Sequence, residues 1–231
     1  SRQQIEDQLT FVSGFSIEGR FMLAQLTYTN HSELPFSFVS WNIRNSFPSL
    51  KPFVYDNKMY ILKVCTAQDS LSTFITTEEE GIFRRCFRSQ NFLCSVSNMF
   101  FTLMELPIAA IQCNETYFRH QTLSNDFQYF RDISLLFVLR ELEKMELIDM
   151  IESPEYHVLK QYDMMHNNNL CDIFMEYLQS GHNVNQTATA VFLHRNTVLN
   201  KIKKAMSVMQ CDFEDYQTQT AFILSYLADH K

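Results

Sequence analysis

Hydrophobic positions follow two different patterns in the first and second parts of this chain. The segment 21–28 is a continuous apolar run of strand length, which is typical of a strand buried on both faces. Further along, the residues Leu170, Ile173, Phe174, Tyr177 and Leu178 repeat at the i, i+3, i+4, i+7, i+8 spacing of an amphipathic helix. The pattern therefore predicts a sheet-containing part followed by an all-α part that begins near Pro154.

The first part alternates strand-like and helix-like segments. Strands are predicted at 21–28, 53–55, 59–62, 92–96 and 127–130, and helices at 36–47, 67–88 and 99–120, with the second of these helices broken at Gly81. A tight turn is predicted at Asp56-Asn57-Lys58, because Asp and Asn tolerate a positive φ. This order favours an α+β fold in which helices pack on one face of an antiparallel sheet.

The segment from His182 to Met206 has the pattern of a helix, a tight turn and a second helix. Asn183 is a candidate N-cap for a short helix over 184–191, and His194 stands where a second cap is needed. Phe192 and Leu193 lie between the two helices. The apolar residues Val198, Ile202 and Ala205 repeat at helical spacing, and they are predicted to face Ala188, Val191 and Leu193.

The remaining surface of the second helix has the composition of a helix-turn-helix recognition helix. Arginine suits guanine and asparagine suits adenine in the major groove, whereas lysine suits phosphate. Base contacts are predicted for Arg195, Asn196 and Asn200. The full set of candidate DNA-binding residues adds phosphate-binding lysines, uncharged phosphate contacts and the cap, namely Lys201, Lys203, Lys204, Thr197, Asn185, Gln186 and His194.

A buried helical hairpin with a solvated lysine face is the competing interpretation of this segment. Residues 177–211 contain four Lys or Arg and no Asp or Glu, although the whole chain has a net charge of −7. A solvated helix mixes both signs, whereas a phosphate-binding face excludes carboxylates, so the charge distribution favours DNA binding. Phe192 stands where glycine is usual in this turn, which predicts either a different turn conformation or a packing role for its ring.

Length and composition set further bounds. A chain of 231 residues suits one large or two small domains, and a start at Ser1-Arg2 without Met suggests a fragment of a longer protein. No signal peptide or membrane-spanning run occurs, and the six cysteines lack metal-type pairing, so we expect reduced thiols in a cytoplasmic protein. The four glycines form no phosphate-binding loop, and no hydrolase or zinc-protease motif occurs, so neither a cofactor nor a metal site is predicted.

The stretch Leu193-His194-Arg195-Asn196-Thr197-Val198 resembles the C-terminal helix-turn-helix of the purine-catabolism and sugar-diacid regulator (PucR/CdaR-like) family. The resemblance extends to the segment 154–163, with Leu159-x-x-Tyr162-Asp163. It extends further to the hairpin at Asp56, to Glu105-Leu106-Pro107 and to Phe130-Arg131-Asp132-Ile133, which are similar to the family's diguanylate-cyclase-related (GGDEF-like) middle domain. The resemblance thus implies a bacterial transcription regulator whose sensory domain lies outside this chain.

The domain organisation implied by the resemblance has three parts: a linker helix or the end of a missing region at 1–19, a degenerate GGDEF-like α+β domain at 20–152, and a helical helix-turn-helix domain at 153–231. The implied partners are a double-stranded DNA operator and a second copy of the chain, with a small-molecule effector and no membrane. In active cyclases the hairpin carries two glycines and paired acids. Here it reads Tyr55-Asp56-Asn57-Lys58, so no cyclase chemistry is expected.

Two other groups of residues are candidates for a metal site. Glu78-Glu79-Glu80 is more simply a solvated helix end than a metal site, and His157 and His166 are too far apart along the chain to suggest ligation.

Three functions remain in competition: a sequence-specific DNA-binding regulator, a nucleotide cyclase-related enzyme, and a metabolite-sensing module that acts through the middle domain. The first and third are compatible with each other.

Overall fold

The computed structural model describes residues 16–28, 35–88, 91–120, 127–211 and 215–230, with only the backbone of residues 119 and 120. The chain divides into two compact units, residues 1–135 and 136–231. Most of the predicted linker at 1–19 lies outside the described residues, and the first strand begins within it, at Glu18. The predicted domain boundary at 152/153 falls inside the second unit and stays a prediction.

The described residues of the first unit hold six strands and three helices, and a fourth helix spans the division between the units. The strands are β1 (Glu18–Tyr28), β2 (Leu50–Tyr55), β3 (Lys58–Cys65), β4 (Phe92–Val96), β5 (Phe100–Thr102) and β6 (Phe127–Tyr129). The helices are α1 (Phe36–Ser46), α2 (Thr77–Cys86), α3 (Leu106–His120) and α4 (Phe130–Lys144). The predicted α+β class is confirmed.

The strands form one sheet in the order β2-β3-β1-β4-β6, with β5 paired to β1. Every pairing is antiparallel except that of β4 with β6, which is parallel. In β1 the six residues from Phe21 to Leu26 are all buried, as the apolar run predicts. The sheet is therefore mixed, where the sequence predicted an antiparallel one.

Helices cover both faces of this sheet, and the prediction of a single covered face is wrong. Met22 and Ala24 of β1 pack with α1 and α2, whereas Phe21 and Leu23 pack with α3. Side chains alternate between the two faces of a strand, so a strand that is apolar at every position must be buried on both sides. The continuous apolar run in β1 therefore already implied that both faces of the sheet are covered.

The hairpin between β2 and β3 forms as predicted. Asp56 and Asn57 have φ angles of 48° and 56°, the left-handed values that a two-residue hairpin turn requires. Tyr55 pairs with Lys58 directly across the turn. The contacts thus fit the interpretation of Asp56 as a turn residue.

The predicted helix over 67–88 is much shorter in the structure. Only α2 is helical, and Gly81 lies inside it instead of breaking it. Before α2, Asp69 accepts hydrogen bonds from the backbone and hydroxyl of Thr66 (2.7 and 2.8 Å), a local arrangement that competes with a helix. The helix then starts at a capping box between Thr76 and Glu79, which gives one member of the acidic cluster a structural role.

The second unit is helical throughout its described residues. Its helices after α4 are α5 (Pro154–His166), α6 (Leu170–Gln179), α7 (Val184–Ala190), α8 (Arg195–Met209) and α9 (Tyr216–Asp229), with a short 3-10 turn at Ile148–Ile151. Their core is built around Tyr156, Phe174 and Phe222, three rings that are almost fully buried. The Tyr156 hydroxyl donates to Asp229 Oδ2 (2.8 Å). Burial, and to a smaller extent the contact with this carboxylate, raises the pKa of Tyr156.

Candidate nucleic-acid interface

Helix α7 is short but well capped. The side chain of Asn183 accepts hydrogen bonds from the backbone N–H groups of Asn185 (3.0 Å) and Gln186 (3.2 Å), as an N-cap asparagine does. Thr187 and Ala188, in the middle of the helix, are its buried residues. Asn185 and Gln186 consequently lie exposed at its first turn.

The turn between α7 and α8 is made by an aromatic residue in a conformation that favours glycine. Phe192 has a φ of 53°, and the backbone N–H of Leu193 donates to Ala188 O (3.1 Å), which closes the end of α7. The Phe192 side chain is 93% exposed. Phe192 therefore adopts the left-handed conformation itself, and its ring has no packing role within the described residues, so neither predicted alternative is observed.

His194 is the N-cap of helix α8, as predicted. The Nδ1 atom of His194 accepts a hydrogen bond from the backbone N–H of Asn196 (3.2 Å), which satisfies one of the free donors at the helix start. An imidazole nitrogen accepts only while it is unprotonated, so the cap belongs to the neutral form of the ring. His194 thus caps α8 through its ring nitrogen.

Burial divides α8 into an inner and an outer face. Val198, Ile202, Ala205 and Met209 are buried in the core of the second unit. On the opposite side Asn196, Asn200, Lys203 and Ser207 are exposed at spacings of three and four residues, so they lie along one line of the helix surface. The sequence interpretation placed Asn196 and Asn200 on this face and missed Ser207, which its four-residue spacing from Lys203 would have revealed.

Arg195 is oriented by a residue of the preceding helix. Its Nε donates to the Oδ1 of Asn185 at 3.0 Å, and both side chains are exposed. The structure thus brings together two residues that the sequence analysis assigned to different roles, a base contact and a phosphate contact. An arginine whose guanidinium is already held in place loses less conformational freedom when it binds.

Two of the three lysines lie against neighbouring helices. Lys201 is half-buried and donates to Asn169 Oδ1 (2.8 Å) at the start of α6, and the Lys204 ammonium lies 5.0 Å from the ring centre of Tyr162 in α5. Both contacts are with uncharged groups. Lys203 and Thr197 are exposed.

All ten predicted residues therefore lie on α7, the adjoining cap or α8, and nine of them are exposed while Lys201 is half-buried. None of the ten residues is acidic, and no Asp or Glu occurs between residues 177 and 211. This surface combines exposed amides, a positioned guanidinium and ammonium groups. Such groups can bind the phosphates of a nucleic acid and the edges of its bases.

The other candidates from the sequence are not assembled into a site. His157 is engaged with Glu152 (3.1 Å) and Gln161 (2.6 Å), whereas His166 stacks on Tyr162, so the two histidines have separate partners. Among the described residues, no group of three potential metal ligands occurs. No described helix is long and apolar enough to cross a membrane.

The geometry of residues 183–209 defines a helix-turn-helix: two capped helices, joined by the four residues 191–194 and packed through a buried seam. Residues 170–228 match the model of the PucR C-terminal helix-turn-helix domain, so the resemblance seen in the sequence is confirmed for this part of the chain. This match supports a transcription regulator.

Comparisons with whole proteins add little. No curated protein shows significant similarity to the chain. The crystal structure of a regulator of polyketide synthase expression from Bifidobacterium adolescentis aligns with a TM-score of 0.42 and 13% identity, over 97% of this chain and 85% of that one. That similarity is too low to establish a shared fold.

Proposed function

We propose that this protein is a sequence-specific DNA-binding transcription regulator, which controls a metabolic operon in response to a metabolite. The observation that carries the proposal is the outer face of α8, where exposed Asn196, Asn200 and Lys203 form one line beside Arg195, in a segment (177–211) without Asp or Glu. An α-helix fits the major groove, and amide side chains there distinguish adenine from the other bases.

The residues divide into two functional groups. Asn196 and Asn200 contact base edges, and Arg195 contacts guanine from the position that Asn185 gives it. Lys203 contacts phosphate directly, whereas Lys201 and Lys204 reach phosphate by exchanging their contacts with Asn169 and Tyr162. Thr197 and Gln186 add uncharged phosphate contacts.

The functional unit in this proposal is a homodimer or a higher oligomer. One helix-turn-helix contacts a half-site, and two symmetry-related copies bind two half-sites about one helical turn apart. The chain has a net charge of −7, so attraction to DNA is confined to a small basic surface and a single copy binds weakly. Footprints on a repeated half-site would support a dimer, and full affinity on a single half-site would argue against it.

The decisive experiment separates specificity from affinity. An operator is first obtained by in vitro selection, and each variant is then titrated with operator and random duplex over a range of salt. Asn196→Ala and Asn200→Ala should lower the ratio of operator to random affinity, by about 1–3 kcal/mol for a good base contact. Asn168→Ala is the matched control, because Asn168 is exposed in the same unit but lies before α6.

The lysine arm of the same experiment tests the phosphate contacts. Lys203→Ala should weaken binding to both duplexes and reduce the slope of log K against log salt by about one unit. Lys51→Ala, which removes the same charge from the first unit, should leave that slope unchanged. If both asparagine variants keep the wild-type ratio of affinities, α8 does not read the sequence and the proposal fails.

The proposal also assigns no cyclase activity to the first unit. The hairpin offers Asp56 as its single carboxylate, beside Lys58, whose ammonium donates to Asn114 Oδ1 (2.7 Å). Phosphoryl transfer assisted by magnesium needs several oxygen ligands in place. Incubation with GTP or ATP and a divalent metal should leave the nucleotide intact, and turnover that disappears in Asp56→Ala would contradict this assignment.

A further inference from the structure

An apolar pocket of about 190 Å³ opens on one face of the sheet, between α3 and strands β2 and β3. We propose that this pocket is a binding site for a small, uncharged aromatic molecule that carries one hydrogen-bond acceptor. As a binding site it is independent of DNA recognition. Its use as the sensing site rests on the regulator function proposed above.

The pocket exists because α3 covers only part of its side of the sheet. Helix α3 packs over β1, β4 and β6, and it leaves the outer strands β3 and β2 beside it. Leu23 of β1 forms part of the pocket wall, Leu106 and Ala110 of α3 form another part, and Phe53 and Tyr60 lie on the adjoining strands. The Phe53 and Tyr60 rings are stacked with their centres 5.6 Å apart, so this side of the pocket is aromatic.

The chemistry of the wall selects the ligand. The lining side chains are aliphatic or aromatic, and no charged side chain is among them, so an anionic ligand would lose its hydration without gaining a partner. Aromatic rings stack favourably in offset or tilted arrangements, and the paired rings with Tyr55 at the rim offer such surfaces. Tyr55 is 70% exposed, so it can move over a bound molecule.

Tyr60 supplies the polar contact. It is only 4% exposed, yet its hydroxyl makes no hydrogen bond with any described residue. Buried tyrosine hydroxyls usually have a partner. Tyr60 lines the pocket, so its hydroxyl is the polar group that a ligand there would meet. Burial raises the pKa of Tyr60, which keeps the hydroxyl protonated as a donor.

The volume sets the size of the ligand. An apolar cavity of roughly 150 Å³ in another protein holds benzene. A pocket of about 190 Å³ therefore accommodates one substituted ring. The same volume is too small for a nucleotide.

Three probes of similar size test the proposal on the whole chain without DNA. Acetophenone has a ring and an acceptor, ethylbenzene has the ring alone, and benzoate has the ring with a charge. We expect acetophenone and ethylbenzene to bind, measured by calorimetry and by ligand-observed NMR. Benzoate should bind at least ~10-fold more weakly, because its charge loses hydration in an apolar pocket.

Two variants locate the site. Tyr60→Phe should weaken acetophenone binding by about 2- to 10-fold, the effect of one neutral hydrogen bond, and leave ethylbenzene binding unchanged. The unchanged probe also shows that the variant is folded. Ala110→Leu should remove binding of both probes, because the added atoms fill the pocket. Tyr216→Phe, on an exposed tyrosine of α9, should change neither.

Other results would overturn the proposal. Failure of both neutral probes to bind wild-type protein would do so, as would wild-type affinity in Ala110→Leu or equal losses for both probes in Tyr60→Phe. If the chain self-associates, binds no probe and becomes monomeric in Ala110→Leu, the pocket holds a second copy and not a small molecule. Since no DNA is present, none of these results depends on the assignment of α8.

Discussion

Phe192 provides a direct test of how the helix-turn-helix is built. Its left-handed φ of 53° costs a residue with a Cβ about 1–2 kcal/mol, and its ring is 93% exposed, so removing the ring gives up almost no buried surface. Asparagine tolerates this conformation better, and Phe192→Asn should therefore raise the free energy of opening of this region by up to ~1 kcal/mol. Phe192→Gly should gain less, because glycine costs about 0.5–1 kcal/mol of backbone entropy on folding.

Phe192→Val completes the series in the opposite direction. A β-branched residue is poorly tolerated at positive φ, so this variant should be less stable than the wild type by about 1 kcal/mol. Amide hydrogen exchange at Val198 and Ile202, on the buried side of α8, measures the free energy of local opening in the intact chain. If Asn and Gly both lower that free energy by more than about 1 kcal/mol, the ring makes a stabilising contact and the strain argument is wrong.

Three further predictions concern single contacts. Asn185→Ala should lower the ratio of operator to random affinity by less than Arg195→Ala does, and the two changes together should be non-additive in the same titrations, because Asn185 orients Arg195. Asp69 has a pKa of about 2, since hydrogen bonds from buried Lys63 and from Thr66 outweigh its partial burial. Because the pKa is lowered in the folded state, the carboxylate stabilises the fold by on the order of 2 kcal/mol above about pH 4, and this stabilisation is lost as the pH falls through about 2. In acid unfolding followed by circular dichroism, the stability of Asp69→Asn should therefore depend less on pH than that of the wild type. Ser225→Ala should destabilise the second unit by about 1–3 kcal/mol in urea unfolding, because the buried Ser153 N–H loses the Ser225 oxygen as acceptor (2.7 Å).

The helix-turn-helix was predictable because its signals are local. Asn183 and His194 cap helices that start within the next residue, and Val198, Ile202 and Ala205 follow the period of a single helix. These features depend on side-chain and backbone groups only a few residues apart.

The errors arise where local periodicity competes with other local or distant contacts. The segment before α2 looked helical, but Thr66 and Asp69 form a hydrogen-bonded turn and Lys63 of β3 holds Asp69 at 2.9 Å. The contact between Lys63 and Asp69 joins a strand to the loop after it, and the spacing of apolar residues along the chain does not predict it. The Arg195–Asn185 contact was also missed, although both residues had been assigned to the interface.

In the proposed function, the contacts of Lys201 and Lys204 would connect DNA binding by α8 to the helices that pack beside it. Asn169, just before α6, and Tyr162 of α5 set the resting positions of Lys201 and Lys204. The positions of the two ammonium groups therefore depend on α8, on α5 and on the residue before α6. A rotation of α5 by a fraction of a turn would move the ammonium group of Lys204 along the surface of α8 without unfolding the helix. If α8 binds DNA as proposed, its affinity would then depend on how α5 packs against it.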